Sequence, residues 1–263
     1  MIAQLRSWLA HPLTKGLDLD DPQTTALRKR IVATKPFLYD IYVEWYAMIR
    51  SAIPDGSLPI LELGSGPGFL ANHVDRVITS DVFRCPDIQA VLDGQALPFR
   101  DQSLRAIVMT NVLHHIPNLR RFLHEAERCL CNGGVIVLIE PWVTDWSRIV
   151  YRYLHHEPFD PEAIEWSLPN GGPLSEANGA LPWMAFMRDR QQFDREFSSL
   201  HVASIRPIMP FRYLVSGGIA MRDLAPAWSI PLWKLFEQGL QPVGDRLAMF
   251  AMVTVCCEHD RRS

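Results

Sequence analysis

Leu58-Pro59-Ile60-Leu61-Glu62-Leu63-Gly64-Ser65-Gly66-Pro67-Gly68-Phe69 is the stretch that decides the fold. An apolar run ends in an acid and passes into three closely spaced glycines. The run reads as a buried strand and the glycines as a loop opening a helix. Glycine permits positive φ and lets a ligand approach the backbone with no Cβ in the way. The N–H groups that begin the next helix would then face an anion. This arrangement points to a nucleotide-like cofactor, with an ordinary strand-to-helix turn as the alternative.

The glycine spacing narrows the choice. A dinucleotide fingerprint, Gly-x-Gly-x-x-Gly, needs a third glycine where this chain has Phe69. A P-loop needs a Gly-Lys-Ser/Thr ending, which is absent. The spacing here is Glu62-x-Gly64-x-Gly66-x-Gly68. A second apolar segment, Val77-Ile78-Thr79-Ser80-Asp81, ends in an acid at a separation suited to accepting ribose hydroxyls. Next come Ala90-Val91-Leu92-Asp93-Gly94-Gln95-Ala96-Leu97-Pro98-Phe99 and then Ala106-Ile107-Val108-Met109-Thr110-Asn111-Val112-Leu113-His114-His115-Ile116.

These four segments, in this order, resemble the motifs of class I S-adenosylmethionine-dependent methyltransferases, type 11 subgroup. The resemblance covers roughly residues 55–142. It implies an α/β fold: a doubly wound, mostly parallel, seven-stranded sheet of the Rossmann-like methyltransferase kind, with N-terminal helices and a lid insertion. It implies S-adenosylmethionine as cofactor. Glu62 and the Gly64, Ser65, Gly66 and Gly68 loop would hold the methionyl end. Asp81 would hold the ribose. Asp93, followed by Gly94 and Gln95, would hold the adenine amine, and Asn111 would lie beside the cofactor.

Bulk properties agree with an ordinary enzyme core. The chain has 263 residues, 48% of them apolar, and a formal charge of −3. That balance argues against a nucleic-acid partner. No apolar run reaches the length of a membrane span, and the N-terminus lacks the apolar block of a secretion signal, so a cytoplasmic location is expected. Cys85, Cys129, Cys131, Cys256 and Cys257 form no Cys-x-x-Cys pair, which reads as free thiols, several of them buried.

The expected organisation has four parts. Residues 1–57 form an N-terminal helical cap, with Pro36 opening a helix whose Leu38, Ile41, Tyr42, Trp45, Met48 and Ile49 share one face. Residues 58–141 are the cofactor-binding half. Within it, Asn118 caps a helix carrying Leu119, Phe122, Leu123, Ala126 and Leu130, closed by Asn132-Gly133-Gly134. Only Val82 to Asp87 separate the second and third strands, too few for a crossover helix, so a bare loop is expected there. Residues 142–186, rich in Pro, Gly and Trp, read as a lid or substrate insertion with a helix near 144–155. Residues 187–263 complete the sheet with strands at 201–207 and 246–257 around a helix over 226–240.

A sulfonium already activates its methyl group, so such an enzyme mainly aligns the acceptor and excludes water. For a hydroxyl or protonated amine a general base helps, and His115, His114 and His156 are the candidates. Each has a plainer reading as a loop-fixing or helix-end residue. The His/Glu set completed by Glu157 matches no standard ligand spacing, so no metal is expected. Trp142, Trp166 and Trp183 suit an apolar or flat small-molecule acceptor, or a core. Ile2, Leu5, Trp8 and Leu9 read as a stripe that packs on the domain, with a membrane surface as the alternative. A homo-oligomer is compatible with the sequence. The first expectation is O-methylation of a small molecule. The alternatives are C-methylation of a quinone or lipid-like substrate, and a non-catalytic cofactor-binding regulatory module.

Overall fold

The structure is a computed structural model, and it describes residues 10–12, 22–66, 68–155, 157–169 and 176–259. Two helices come first, α1 (Pro22–Thr34) and α2 (Pro36–Ala52). The strands β1 (Ile60–Leu63), β2 (Val77–Asp81), β3 (Ala90–Val91) and β4 (Leu104–Thr110) follow, then α3 (Leu119–Cys129) and β5 (Leu130–Pro141). Next are α4 (Asp145–Leu154), a short α5 (Leu181–Trp183) running into a π-helical stretch (Met184–Arg188), and α6 (Arg190–Glu196). The chain ends through β6 (Leu200–Ile208), α7 (Arg212–Val215), α8 (Ile230–Gly239), α9 (Gly244–Leu247) and β7 (Phe250–Cys257).

The strands form one seven-stranded sheet in the order β3-β2-β1-β4-β5-β7-β6. Pairs from β3 through β5 are parallel, and β7 runs antiparallel to both neighbours. Alternation within each strand explains why both faces are covered. Leu61, Leu63, Ile107, Met109, Ile136 and Leu138 point into one cluster, which α3 closes with Leu119, Phe122, Leu123 and Ala126. Ile60, Ala106, Val108, Val135, Val137 and Ile139 point into the other, against Leu38, Ile41, Trp45 and Ile49 of α2. Pro36 sits at the start of α2, where its missing N–H costs nothing. Asn118 caps α3 by accepting from the Arg121 N–H. All five cysteines are free, and Cys85, Cys129 and Cys257 are buried. Among the described residues no helix is long and apolar enough to cross a membrane.

Several boundaries differ from the sequence reading. The glycine loop does not open a helix: a single 3-10 turn, Leu70–Asn72, precedes β2. Seven residues, Leu70 to Arg76, lie between Phe69 and β2, too few for a helix and its return. Helix α2 takes over that ground. Phe69 stacks on Tyr39 with centroids 4.7 Å apart and meets Tyr46 edge-on. Residues 82–89 between β2 and β3 carry no helix, in keeping with their number, and Lys29 of α1 pairs with Asp87 there at 2.8 Å. Asn132-Gly133-Gly134 does not close α3. That helix ends at Cys129, and the three residues belong to β5, beside the point where its register with β4 shifts. The last strand begins at Phe250, because Gly244–Leu247 forms a helical turn instead.

The segment 142–186 divides in two. Its first part, including Val150, Tyr151, Leu154, His155 and Glu157, lines the main cavity. Its later part packs on the sheet: Trp166 is fully buried, with Leu181, Met184, Ala185 and Phe186 around the same core. The stripe Ile2, Leu5, Trp8 and Leu9 lies outside the described residues.

Candidate active site

The glycine loop is held by its own hydrogen bonds. Gly64 adopts φ +63°, and a Cβ there would lie 2.5 Å from a Val112 methyl. At Gly68 a Cβ would stand 2.6 Å from the Tyr46 hydroxyl and 2.9 Å from the Ser65 carbonyl. The N–H of Ser65 donates to the Ser80 carbonyl at 2.7 Å and that of Gly68 to the Ser65 carbonyl at 2.7 Å. The Gly66 N–H donates to Asp81 Oδ2 at 3.1 Å, and the Phe69 N–H to the Tyr46 hydroxyl at 3.0 Å. Pro67 carries no N–H. No N–H from Ser65 to Phe69 therefore remains for an anion, and no full helix follows to add its dipole. The anion-binding property expected from the loop is absent, because the chain is too short there to build the helix.

Glu62 stands behind this loop. Its Oε2 accepts from the Ser65 hydroxyl at 2.7 Å, and Ser80 Oγ donates to the Glu62 carbonyl at 2.8 Å. Burial, opposed by the Ser65 bond and reinforced by the Asp81 charge, pushes its carboxyl up to about 7.

A cavity of about 780 Å³ opens beyond the carboxyl ends of the strands. That size suits a small-molecule site, for which ~300–1,000 Å³ is usual. Gly64, Gly66, Asp81, Asp93, Gly94, Gln95, Asn111, His114 and His115 all line it. Glu62, Ser65 and Gly68 form the layer behind, and His156 lies outside the described residues. Asp81 Oδ1 also accepts from the Phe83 N–H at 3.1 Å, and burial raises its carboxyl above the ordinary value. Asp93 Oδ1 accepts from the Gln95 N–H at 2.9 Å and from Gln95 Nε2 at 3.2 Å. Asn111 holds φ +57°, a conformation Asn tolerates better than most residues.

The other end of the cavity is aromatic and apolar, with Tyr42, Val150, Tyr151, Tyr213, Met249 and Phe250. One polar group interrupts it. His114 Nδ1 lies 2.6 Å from Glu140 Oε2, and its Nε2 lies 3.5 Å from Glu157. Glu140 is fully buried, and its Oε1 accepts from the Val112 and Leu113 N–H groups at 2.8 and 2.7 Å. It thus fixes the 3-10 turn Leu113–His115 from within β5 and does not reach the cavity. Burial opposes the His114 cation, but Glu140 and Glu157 outweigh it and raise its pKa to about 10. His115 donates from Nδ1 to the Glu176 carbonyl at 2.9 Å. Burial and the neighbouring His114 push its pKa down to about 4, so its Nε2 carries a lone pair at neutral pH.

Several lining residues carry no local signal in the sequence. Thr24, Thr25 and Arg28 enter from α1, and the loop Gly217–Met221 enters from beyond α7. Nothing in the spacing of α1 distinguishes Arg28 from its neighbours Lys29 and Arg30. Only the fold brings it to the cavity.

Residues 61–138 match a family model described as a methyltransferase domain. Over that span the chain resembles a methyltransferase domain. The matched span of this domain runs from β1 to within β5 and holds every cavity-lining glycine and carboxylate up to Asn111. A mouse protein, probable tRNA methyltransferase 9B, is 29% identical over 139 residues, covering 45% of this chain. The chain spans 31% of that relative's length. A chain in the complex between the Haloferax volcanii Trm112 methyltransferase activator and a methyltransferase superposes with a TM-score of 0.55 at 15% identity. That match covers 93% of this chain and 99% of the other. The likeness to it is one of fold.

Proposed function

We propose that the protein transfers a methyl group from S-adenosylmethionine to the oxygen of a small, largely apolar or aromatic molecule. One observation supports the choice of cofactor: a glycine loop whose N–H groups from Ser65 to Phe69 are spent, set beside carboxylates that line one cavity. A dinucleotide needs free N–H groups and a helix start for its pyrophosphate. A sulfonium cofactor carries no phosphate and is a cation at its reactive end, so acidic surroundings favour it. In this reading Asp81 accepts the ribose hydroxyls and Asp93 the adenine amine. Glu62 and the Gly64–Gly68 loop shape the methionyl end, and Arg28 faces its carboxylate.

The acceptor occupies the aromatic end. Tyr42, Tyr151, Tyr213 and Phe250 bind a flat or apolar body, while the His114–His115–Glu157 group meets the oxygen to be methylated. Methyl transfer then forms the C–O bond as the S–CH3 bond breaks, the hydroxyl proton passes to solvent, and the cofactor leaves as a neutral thioether. The protein supplies alignment and exclusion of water. The mouse relative is a tRNA methyltransferase by name, but a near-neutral chain and a largely apolar acceptor end favour a small molecule here.

The test is a mass-spectrometric search of a cell extract incubated with the protein and methyl-labelled cofactor. The proposal expects S-adenosylhomocysteine to form together with a small metabolite that gains one methyl group on oxygen. Label confined to RNA or protein would contradict it.

A further inference from the structure

We propose that His114, His115 and Glu157 bind a divalent transition-metal ion at the acceptor end of the cavity. The spacing along the chain matches no standard ligand pattern, since Glu157 stands far from the two histidines and arrives from beyond α4. In space one ligand atom from each residue lies within 4.8 Å of the others. The His114 Nε2 to Glu157 distance is 3.5 Å, and that from His115 Nε2 is 3.8 Å. Ligands about 2.0–2.1 Å from a tetrahedral ion stand roughly 3.3 Å apart. The two imidazoles reach different oxygens of the Glu157 carboxylate, and each of these contacts needs a contraction of only a few tenths of an ångström.

The layer behind the ligands is already built. Each imidazole turns its Nδ1 to a fixed acceptor, Glu140 Oε2 for His114 and the Glu176 carbonyl for His115. Metal-binding histidines almost always have such a partner on the other ring nitrogen. Glu140 is itself pinned by two backbone N–H groups. Both Nε2 atoms are thereby aimed at the Glu157 carboxylate, where an ion would displace the His114 Nε2 proton, and all three residues line the cavity. Three protein ligands on one side leave the remaining positions open to it, as in catalytic sites. Two imidazoles and one carboxylate suit zinc, iron or manganese better than magnesium or calcium.

The inference rests on the proposed acceptor end and says what that end does. The acceptor's hydroxyl oxygen would join the ion and lose its proton to bulk solvent on entry, before acceptor and cofactor fill the cavity. The resulting oxyanion, held on the ion, would attack the sulfonium methyl, and the thioether would leave with the S–C electron pair.

The experiment uses the untagged 263-residue chain, freed of metal with chelator and titrated with Co²⁺ by visible absorption. Parallel titrations with S-adenosylhomocysteine follow by calorimetry. The expected result is one Co²⁺ per chain, bound at least about tenfold more weakly by His115→Ala and by Glu157→Gln. The two variants serve as independent checks, and retained cofactor binding shows that each is folded. His124→Ala, on the exposed side of α3, should bind as the parent does. Absence of stoichiometric Co²⁺ binding, or binding unmoved by both site variants, would overturn the inference. Cofactor binding without metal binding would overturn this site alone, and metal binding without cofactor binding would overturn the methyltransferase reading alone.

Discussion

The Gly66 N–H donates to Asp81 Oδ2 across 3.1 Å, tying the loop after β1 to the end of β2. One carboxylate thus satisfies the loop and faces the cavity with its remaining lone pairs. The same bond that shapes the glycine loop removes its capacity to hold phosphate. Cofactor choice and loop geometry therefore have a common cause.

Asp81→Asn keeps the size of the side chain and removes its charge. It should weaken binding of S-adenosylhomocysteine by tenfold or more, at least about 1.4 kcal/mol. Calorimetry on the folded variant checks this. An unchanged affinity would remove Asp81 from the ribose role.

Glu62 makes stability depend on pH in a specific direction. Its folded pKa of about 7 lies above the ordinary 4.5, so the native state holds the proton more tightly than the unfolded chain. That contribution is fully present below pH 4.5 and is lost as pH rises through 7. It amounts to about 3 kcal/mol. Glu62→Gln should remove this segment of the pH profile and be relatively more stable than the parent above pH 7. Denaturant unfolding at pH 5 and pH 8 measures it, and parallel profiles for the two proteins would refute it.

Tyr46 stands where a helix start is missing. Its hydroxyl accepts from the Phe69 N–H, and the ring is buried. Tyr46→Phe leaves that N–H without its partner and should cost about 1–3 kcal/mol of stability. Cofactor affinity should fall with it, since the loop loses a brace. Unfolding and calorimetry on the same variant would show whether both change.

Gly68→Ala places a methyl 2.6 Å from the Tyr46 hydroxyl and 2.9 Å from the Ser65 carbonyl. The Ser65 atom is backbone and cannot swing aside. The loop must shift, so cofactor binding should weaken by about tenfold or more. Combining Gly68→Ala with Tyr46→Phe should not restore affinity, because the backbone contact remains. Full recovery in the double variant would show that the side chain alone sets the limit.

Much of this was legible in the chain. Leu61, Glu62 and the glycines mark β1 and its loop because a two-faced buried strand must be apolar and a tight loop must lack side chains. The shortness of residues 82–87 announced a bare connection by simple reach. What failed was local inference across a missing element. Nothing in Phe69 to Arg76 says that Tyr39, Tyr42 and Tyr46 of α2 will cover ground usually held by a helix. Glu140 lies near the end of β5, yet its partners Val112, Leu113 and His114 lie on another strand's loop. His114, His115 and Glu157 stand out in the chain as a His/Glu set, but that they meet is a product of the fold. Neighbours brought together by the sheet leave no spacing to read.

The most direct test of the central claim is a pair of calorimetric titrations of the unmodified protein, one with S-adenosylhomocysteine and one with NADH. The account predicts one molecule of the sulfonium-derived cofactor bound per chain, with micromolar-range affinity of about −8 kcal/mol, and no saturable heat with NADH. Saturable binding of NADH with none of S-adenosylhomocysteine would contradict it, because the loop would then hold a pyrophosphate on N–H groups that the fold has already spent.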